Sequence, residues 1–250
     1  MSLRKLKLIE LFEEDYLRVS LLEGEGINYK HYLDKTLEQV CDEYALDAES
    51  IETKLNNFHP GPTGVSLNLA KANLDIIITY LEKTHHSFCE AKLPLIKTRI
   101  HRLAKSIGRT TPQLVILKKA FDEFSTSFMK HIHYESKVVF PFVMELNKYS
   151  LQEHFDTQRV VELLNDHSLE FYMAKHDQDD DEMRVIKAIT KNFSYEEDDD
   201  IEYKVIMTEL KYFEYDLKEH SHVEDNVLFE KALHAEKLLR TRLKQVIRFN

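Results

Sequence analysis

The chain has two rhythms. Residues 4 to about 57 carry short amphipathic runs, LKLIELFEED and YLRVSLLEG among them, broken at Gly24 and Gly26. From Leu67 onward apolar residues recur at helical spacing through four runs of about 30 to 40 residues, long enough for each to lay one face against a core. Thr36 is the expected N-cap of TLEQVCDEYA, with Gln39 three residues on completing a capping box. Asp47 or Glu49 opens a further short helix. Thr111 caps the second long run, with Pro112 at its first position, where the missing N–H costs nothing.

Between the two rhythms stands HPGPTGVS, residues 59 to 66, whose two prolines and two glycines cannot continue a helix. The pattern therefore predicts a small helical accessory domain over 1–58, a linker over 59–66 and a helical bundle with a short C-terminal helix over 67–250. The bundle helices are expected at about 67–106, 111–149, 156–192 and 201–234. Pro94 is expected to kink the first or end it. Four long helices with short connections predict an all-α, up-down four-helix bundle.

Within that frame one stretch occurs twice. HIHYESKVVF (131–140) and HSHVEDNVLF (220–229) both read His-x-His-x-Glu-x-x-Val-x-Phe. Residues i and i+4 share a helix face, which pairs His131 with Glu135 and His220 with Glu224. A single such pair is commonly an exposed contact; two in duplicated context point inward. Stepping 45 residues back from His131 reaches His86, and 45 forward reaches His176, with His220 another 44 on. This spacing predicts one histidine per helix at one level.

Two glutamates buried face to face would repel, and one would be forced to stay protonated. Divalent or trivalent cations between them reverse that, each carboxylate bridging and each ion taking two imidazoles. With no thiolate in the set, iron fits first, with manganese or zinc behind.

Other histidines fit less well. His133 and His222 lie about 200° round the helix from their partners. His85 points about 100° from His86 and is expected at the surface, with a supporting role behind the ligands as the alternative. His101 lies about 22 Å along a continuous helix from His86. Tyr134 is expected to serve packing.

Charge and cysteine usage narrow the classes further. A formal net charge of −10 is the opposite of what phosphate neutralisation needs, so nucleic acid is not an expected partner. The basic segment Lys237 to Arg248 reads as the solvated face of a last helix. Five glycines and five prolines in 250 residues agree with long helices. Cys41 and Cys89 match no metal or redox spacing and are expected as small core residues. No run approaches the roughly 18 apolar residues of a membrane span. Acids at Glu10, Glu13 and Glu14 interrupt the start before a signal-peptide core could form. The expected location is the cytoplasm, without a membrane.

The stretches THHSFCEAKLP (84–94), HIHYESKVVFPFV (131–143), MAKHDQ (173–178) and HSHVEDNVLFEKAL (220–233) resemble the hemerythrin-like di-iron proteins, and among them the repair-of-iron-centres family. The resemblance implies metal ligands at His86, His131, His176 and His220, with bridging carboxylates at Glu135 and Glu224. It also implies two non-haem iron ions joined by an oxo or hydroxo bridge, O2 or NO as small diatomic ligands, and iron–sulfur proteins as partners. A homodimer is compatible with it.

GINYKHYLDKTLEQVCDEYALDAESI (26–51) is similar to the small accessory domain of that family. The departure lies after Tyr29: the family carries Cys-Cys-Gly-Gly, and this chain has Lys30, His31, Tyr32 and Leu33. The function implied is iron–sulfur cluster repair or a response to nitrosative or oxidative stress, more a metal-binding stress protein than a conventional enzyme. A sensor or carrier of O2 or NO signalling through the N-terminal domain, and a metal-free interaction module, are the alternatives.

Overall fold

The computed structural model describes residues 2–58, 69–166, 169, 172–173 and 183–249. Every regular element among them is helical; an isolated antiparallel bridge joins Lys7 to Thr36. The chain divides into two units, Met1–Pro62 with Thr190–Phe213, and Thr63–Ile189 with Glu214–Asn250. Residues 190–213, which the sequence pattern groups with the bundle, thus fall in the first unit.

In the first unit, α1 (Leu8–Glu14), α2 (Arg18–Gly24), α3 (Leu37–Glu43) and α4 (Ala48–Asn56) are short. Thr36 and Gln39 form the expected capping box on α3, and the Asp47 carboxylate accepts from Glu49 and Ser50 at the start of α4. Gly26 turns the chain after α2 with φ of 84°, a region where a β-carbon is strained. Leu8, Leu11, Phe12, Val19, Leu37 and Val40 build the core, together with Cys41 and Val205. Tyr29 is buried in it, edge-on to Phe12 with ring centroids 5.4 Å apart. Lys30, where the resembling family begins its Cys-Cys pair, forms an ion pair with the buried Glu202.

The second unit contains α5 (Leu74–Ser87), α6 (Leu93–Ile107), α7 (Pro112–Tyr134), α8 (Phe140–Leu151), α9 (Thr157–Asp166) and α10 (Arg184–Ile189). Helix α11 (Ile201–Val223) belongs to this unit from Glu214 on, and α12 (Glu230–Phe249) completes it. Helix α6 packs on α7, α10 on α7, and α12 on α8 and α9. The core runs through Leu74, Ile77, Leu81, Phe140, Val143, Leu146 and, from the later helices, Val160, Leu163, Leu228, Phe229 and Ala232.

Among the described residues, three junctions in this unit are single π-helical turns: Phe88–Lys92 between α5 and α6, Glu135–Val139 between α7 and α8, and Glu224–Phe229 between α11 and α12. Two are followed at once by a proline, Pro94 and Pro141, in the first turn of the next α-helix. Proline has no N–H to donate and its ring crowds the carbonyl four residues back. The i→i+5 pattern of a π turn widens the helix where that carbonyl lies. Pro94 therefore neither ends the first long helix nor breaks it. The C-terminal helix likewise follows α11 through a π turn, and at 20 residues it is longer than the short terminal helix expected. Among the described residues no helix is long and apolar enough to cross a membrane.

Candidate metal centre

The three π turns sit at the same place as the candidate chemistry. Two of them begin on Glu135 and Glu224, and the third begins three residues after His85. π turns inserted in α-helices are frequent at functional sites because the widened turn re-aims the side chains it carries.

His85, Glu135, His220 and Glu224 converge, each offering a ligand atom, with all four atoms within 4.8 Å of one another. Their exposures are 4, 0, 5 and 1%. His220 Nε2 lies 3.2 Å from Glu224 Oε1, and His131 Nε2 lies 3.2 Å from Glu135 Oε1. These are the two i,i+4 pairs of the repeat. His85 Nε2 stands 2.9 Å from His220 Nε2, 3.4 Å from Glu135 Oε2 and 3.9 Å from Glu224 Oε1. His131 is half-buried and reaches the group through Glu135.

The structure does not bring His86 into this group. Its side chain is exposed, and His85 occupies the interior position. Counting residues from His131 fixes depth along a helix axis but not direction around it, and neighbours differ by about 100°. Direction is set by the apolar stripe of α5, which runs Ile77, Ile78, Leu81, then His85 and Phe88, all buried. His85 stands four residues after Leu81 and three before Phe88, on that stripe; His86 is off it. His176 lies outside the described residues. His133 and His222 are exposed, and His101 pairs with Asp122 at 2.9 Å, so none of these joins the group.

Two aromatic residues of the repeat support the centre. Phe140 stacks on the His85 ring, with centroids 5.3 Å apart and planes at 15°. Phe229 meets the ring of Tyr172 edge-on at 5.4 Å, and the Tyr172 hydroxyl donates to Glu135 Oε1. Burial and then the adjacent Glu135 charge push the Tyr172 hydroxyl far above the ordinary phenol value, so it remains a donor. The exposed Tyr134 stacks on Tyr172 from outside. His85 Nδ1 contacts Ser136 Oγ at 2.9 Å. No spacing in the sequence points to Tyr172 or Ser136.

Burial opposes charging the His220 ring, but the charge and hydrogen bond of Glu224, and the charge of Glu135, raise its pKa above the ordinary imidazole value. The group is thus a pair of carboxyl groups surrounded by imidazoles at almost zero exposure. A buried carboxylate costs several kcal/mol unless paired or bound to a cation. Nitrogen and oxygen donors in this number and proximity fit a borderline or hard divalent cation.

One face of the centre adjoins the surface. An open pocket of about 1000 Å³ is lined by His85, His86, Cys89, Met129, His133 and Ser136 among others. Cys89 is half-buried in this wall, rather than a core residue like Cys41, and burial pushes its thiol pKa up.

Fold and site together define an all-helical protein carrying a buried histidine–carboxylate group. No protein-family profile matches the chain. It is similar to the iron-sulfur cluster repair protein ScdA of Staphylococcus epidermidis, 24% identical over 189 residues, covering 75% of this chain and 79% of that protein. It is also similar to the iron-sulfur cluster repair protein YtfE of Yersinia pseudotuberculosis, 22% identical over 227 residues, covering 88% of this chain and 96% of the relative. The ScdA of Staphylococcus haemolyticus is 19% identical over 186 residues.

Proposed function

We propose that this chain is a hemerythrin-like di-iron protein, its second unit a four-helix bundle, that serves the repair of iron–sulfur clusters damaged by oxidative or nitrosative stress. The observation that carries the reading is the convergence of His85, Glu135, His220 and Glu224 in a nearly solvent-free interior. The similarity to proteins named for iron–sulfur cluster repair supplies the process.

His85, His131, Glu135, His220 and Glu224 would hold the metal, with His176 completing the set. Glu135 and Glu224 would supply the carboxylates of that set. Tyr172 orients Glu135 by donating to one of its oxygens, while the other faces His85. Phe140 and Phe88 flank the His85 and His220 rings and keep bulk water from them. When bound, iron supplies a redox-active Lewis acid able to meet O2 or NO.

Lys30 and its neighbours leave no Cys-Cys pair beside Tyr29, so repair here would proceed without thiols at that position. The test is reactivation of an oxidatively inactivated iron–sulfur hydratase by the iron-loaded protein. Recovery that depends on Glu135 and Glu224 supports the reading. Reversible O2 or NO binding with no recovery would assign the protein to the sensors and carriers instead.

A further inference from the structure

We propose that the open pocket beside the metal centre is a binding site for a small polycarboxylate anion. Its purpose, presenting chelated ferrous ion to the centre, rests on the metal-centre reading above. Two helix faces flank the pocket. Glu82, His86 and Cys89 come at three- and four-residue steps from α5 and the π turn after it. Lys130, His133 and Lys137 come at the same steps from α7 and its π turn. The buried His85 forms part of the inner wall.

This lining runs against the charge of the chain. The formal net charge is −10, yet two ammonium groups line the pocket, against the one carboxylate of Glu82. Lys130 and Lys137 are exposed, and among the described residues neither has an ion-pair partner. They stand seven residues apart, roughly 10 Å along the axis at 1.5 Å per residue. Two carboxylates on one short carbon skeleton can meet both, because lysine stems are flexible. The His86 and His133 rings add N–H donors, and Met129 and Val138 offer apolar wall to the skeleton.

A bare cation suits the pocket poorly. The ammonium groups repel it, and among the described residues the donors that converge are His85, Glu135, His220 and Glu224, not His86, His133 or Cys89. At about 1000 Å³ the pocket has room for a small molecule with several carboxylates. Held against His85, such an anion brings the ferrous ion it carries next to the centre.

Citrate is the probe. Calorimetric titration of the metal-free full chain is expected to show saturable binding, weakened roughly tenfold in Lys130→Gln/Lys137→Gln. Lys71→Gln/Lys105→Gln removes the same charge away from the pocket and is expected to bind as wild type does. Cys89 reports the location: citrate is expected to slow its alkylation by iodoacetamide, with the buried Cys41 as the unreactive control. Anaerobic iron uptake from ferrous citrate is expected to slow in the pocket variant, and uptake from ferrous sulfate is not.

No saturable citrate binding, binding indifferent to Lys130 and Lys137, or an unprotected Cys89 overturns the proposal. Inorganic phosphate bound as tightly as citrate overturns it too, as does equal uptake from ferrous citrate by wild type and the pocket variant. A wild type that takes up ferrous ion from neither source overturns the metal-centre reading instead, and the calorimetry still decides the anion site.

Discussion

His85 and His220 point their Nε2 atoms at one another across 2.9 Å, each beside a buried carboxylate. Two lone pairs at that distance repel unless a proton or a cation lies between them. The spacing suits a shared ion. We expect His85→Ala to lower bound iron and His86→Ala to leave it unchanged, measured by metal analysis after anaerobic loading. Loss from His86→Ala with none from His85→Ala would reverse the assignment.

In the proposed reading both Glu135 and Glu224 hold metal, so Glu135→Ala or Glu224→Ala should lose at least one metal ion per chain. Ligand binding to the folded state stabilises it by about 2.7 kcal/mol when the free ligand is at 100 times its Kd. Ferrous ion should therefore raise the melting temperature of wild type and raise that of either variant far less. Equal shifts in all three would remove the carboxylates from the centre.

Tyr172 gives Glu135 a hydrogen bond inside the core. Its replacement in Tyr172→Phe withdraws one donor from a buried carboxylate, a change of roughly 1.5 to 3 kcal/mol for hydrogen bonds to charged groups. Urea denaturation of the metal-free protein should show that loss of stability with the helical content intact.

Arg242 on α12 donates to the carbonyls of Ser150, Gln152 and Glu153 and lies over the ring of Phe155, 5.1 Å from its centroid. It closes the C-terminal end of α8, whose last carbonyls have no partners inside the helix. Arg242→Ala is expected to destabilise by about 1 to 3 kcal/mol. Arg242→Lys should recover only part, because an ammonium lacks the planar fork.

Glu214 accepts from Lys187 at 2.7 Å and Lys218 at 2.9 Å. Burial works to raise its pKa, but the two ammonium groups outweigh burial and hold it below the ordinary carboxylate value. A depressed folded-state pKa contributes stability above the unfolded value, and that contribution is lost as pH falls through the folded one. Glu214→Gln should therefore be less stable than wild type at pH 7 by about 1 kcal/mol or less, with the gap closing in acid. A gap that widens in acid contradicts the assignment.

Much of the site was legible because helix spacing is local. His131 with Glu135, and His220 with Glu224, follow from four-residue steps, and the structure keeps both pairs at 3.2 Å. A count of residues gives depth but not azimuth, so it cannot separate His85 from His86; the buried stripe through Leu81 and Phe88 places His85 inside. The π turns depend on backbone hydrogen bonding that composition does not reveal, although Pro94 and Pro141 mark where two of them end. Tyr172 and Ser136 reach their partners across 37 and 51 residues of chain, and such contacts have no spacing signature. The capping box at Thr36 and the break at Gly26 were readable for the opposite reason, since both are decided within four residues. In the sequence Lys30 is only the absence of a cysteine; the fold brings it to Glu202.

Metal content and the optical spectrum of the full chain, loaded with ferrous ion anaerobically and then exposed to air, test the di-iron reading most directly. The expected result is two irons per chain, with oxo-bridge absorption appearing in air. Clearly fewer than two irons per chain, with no such absorption, would contradict it.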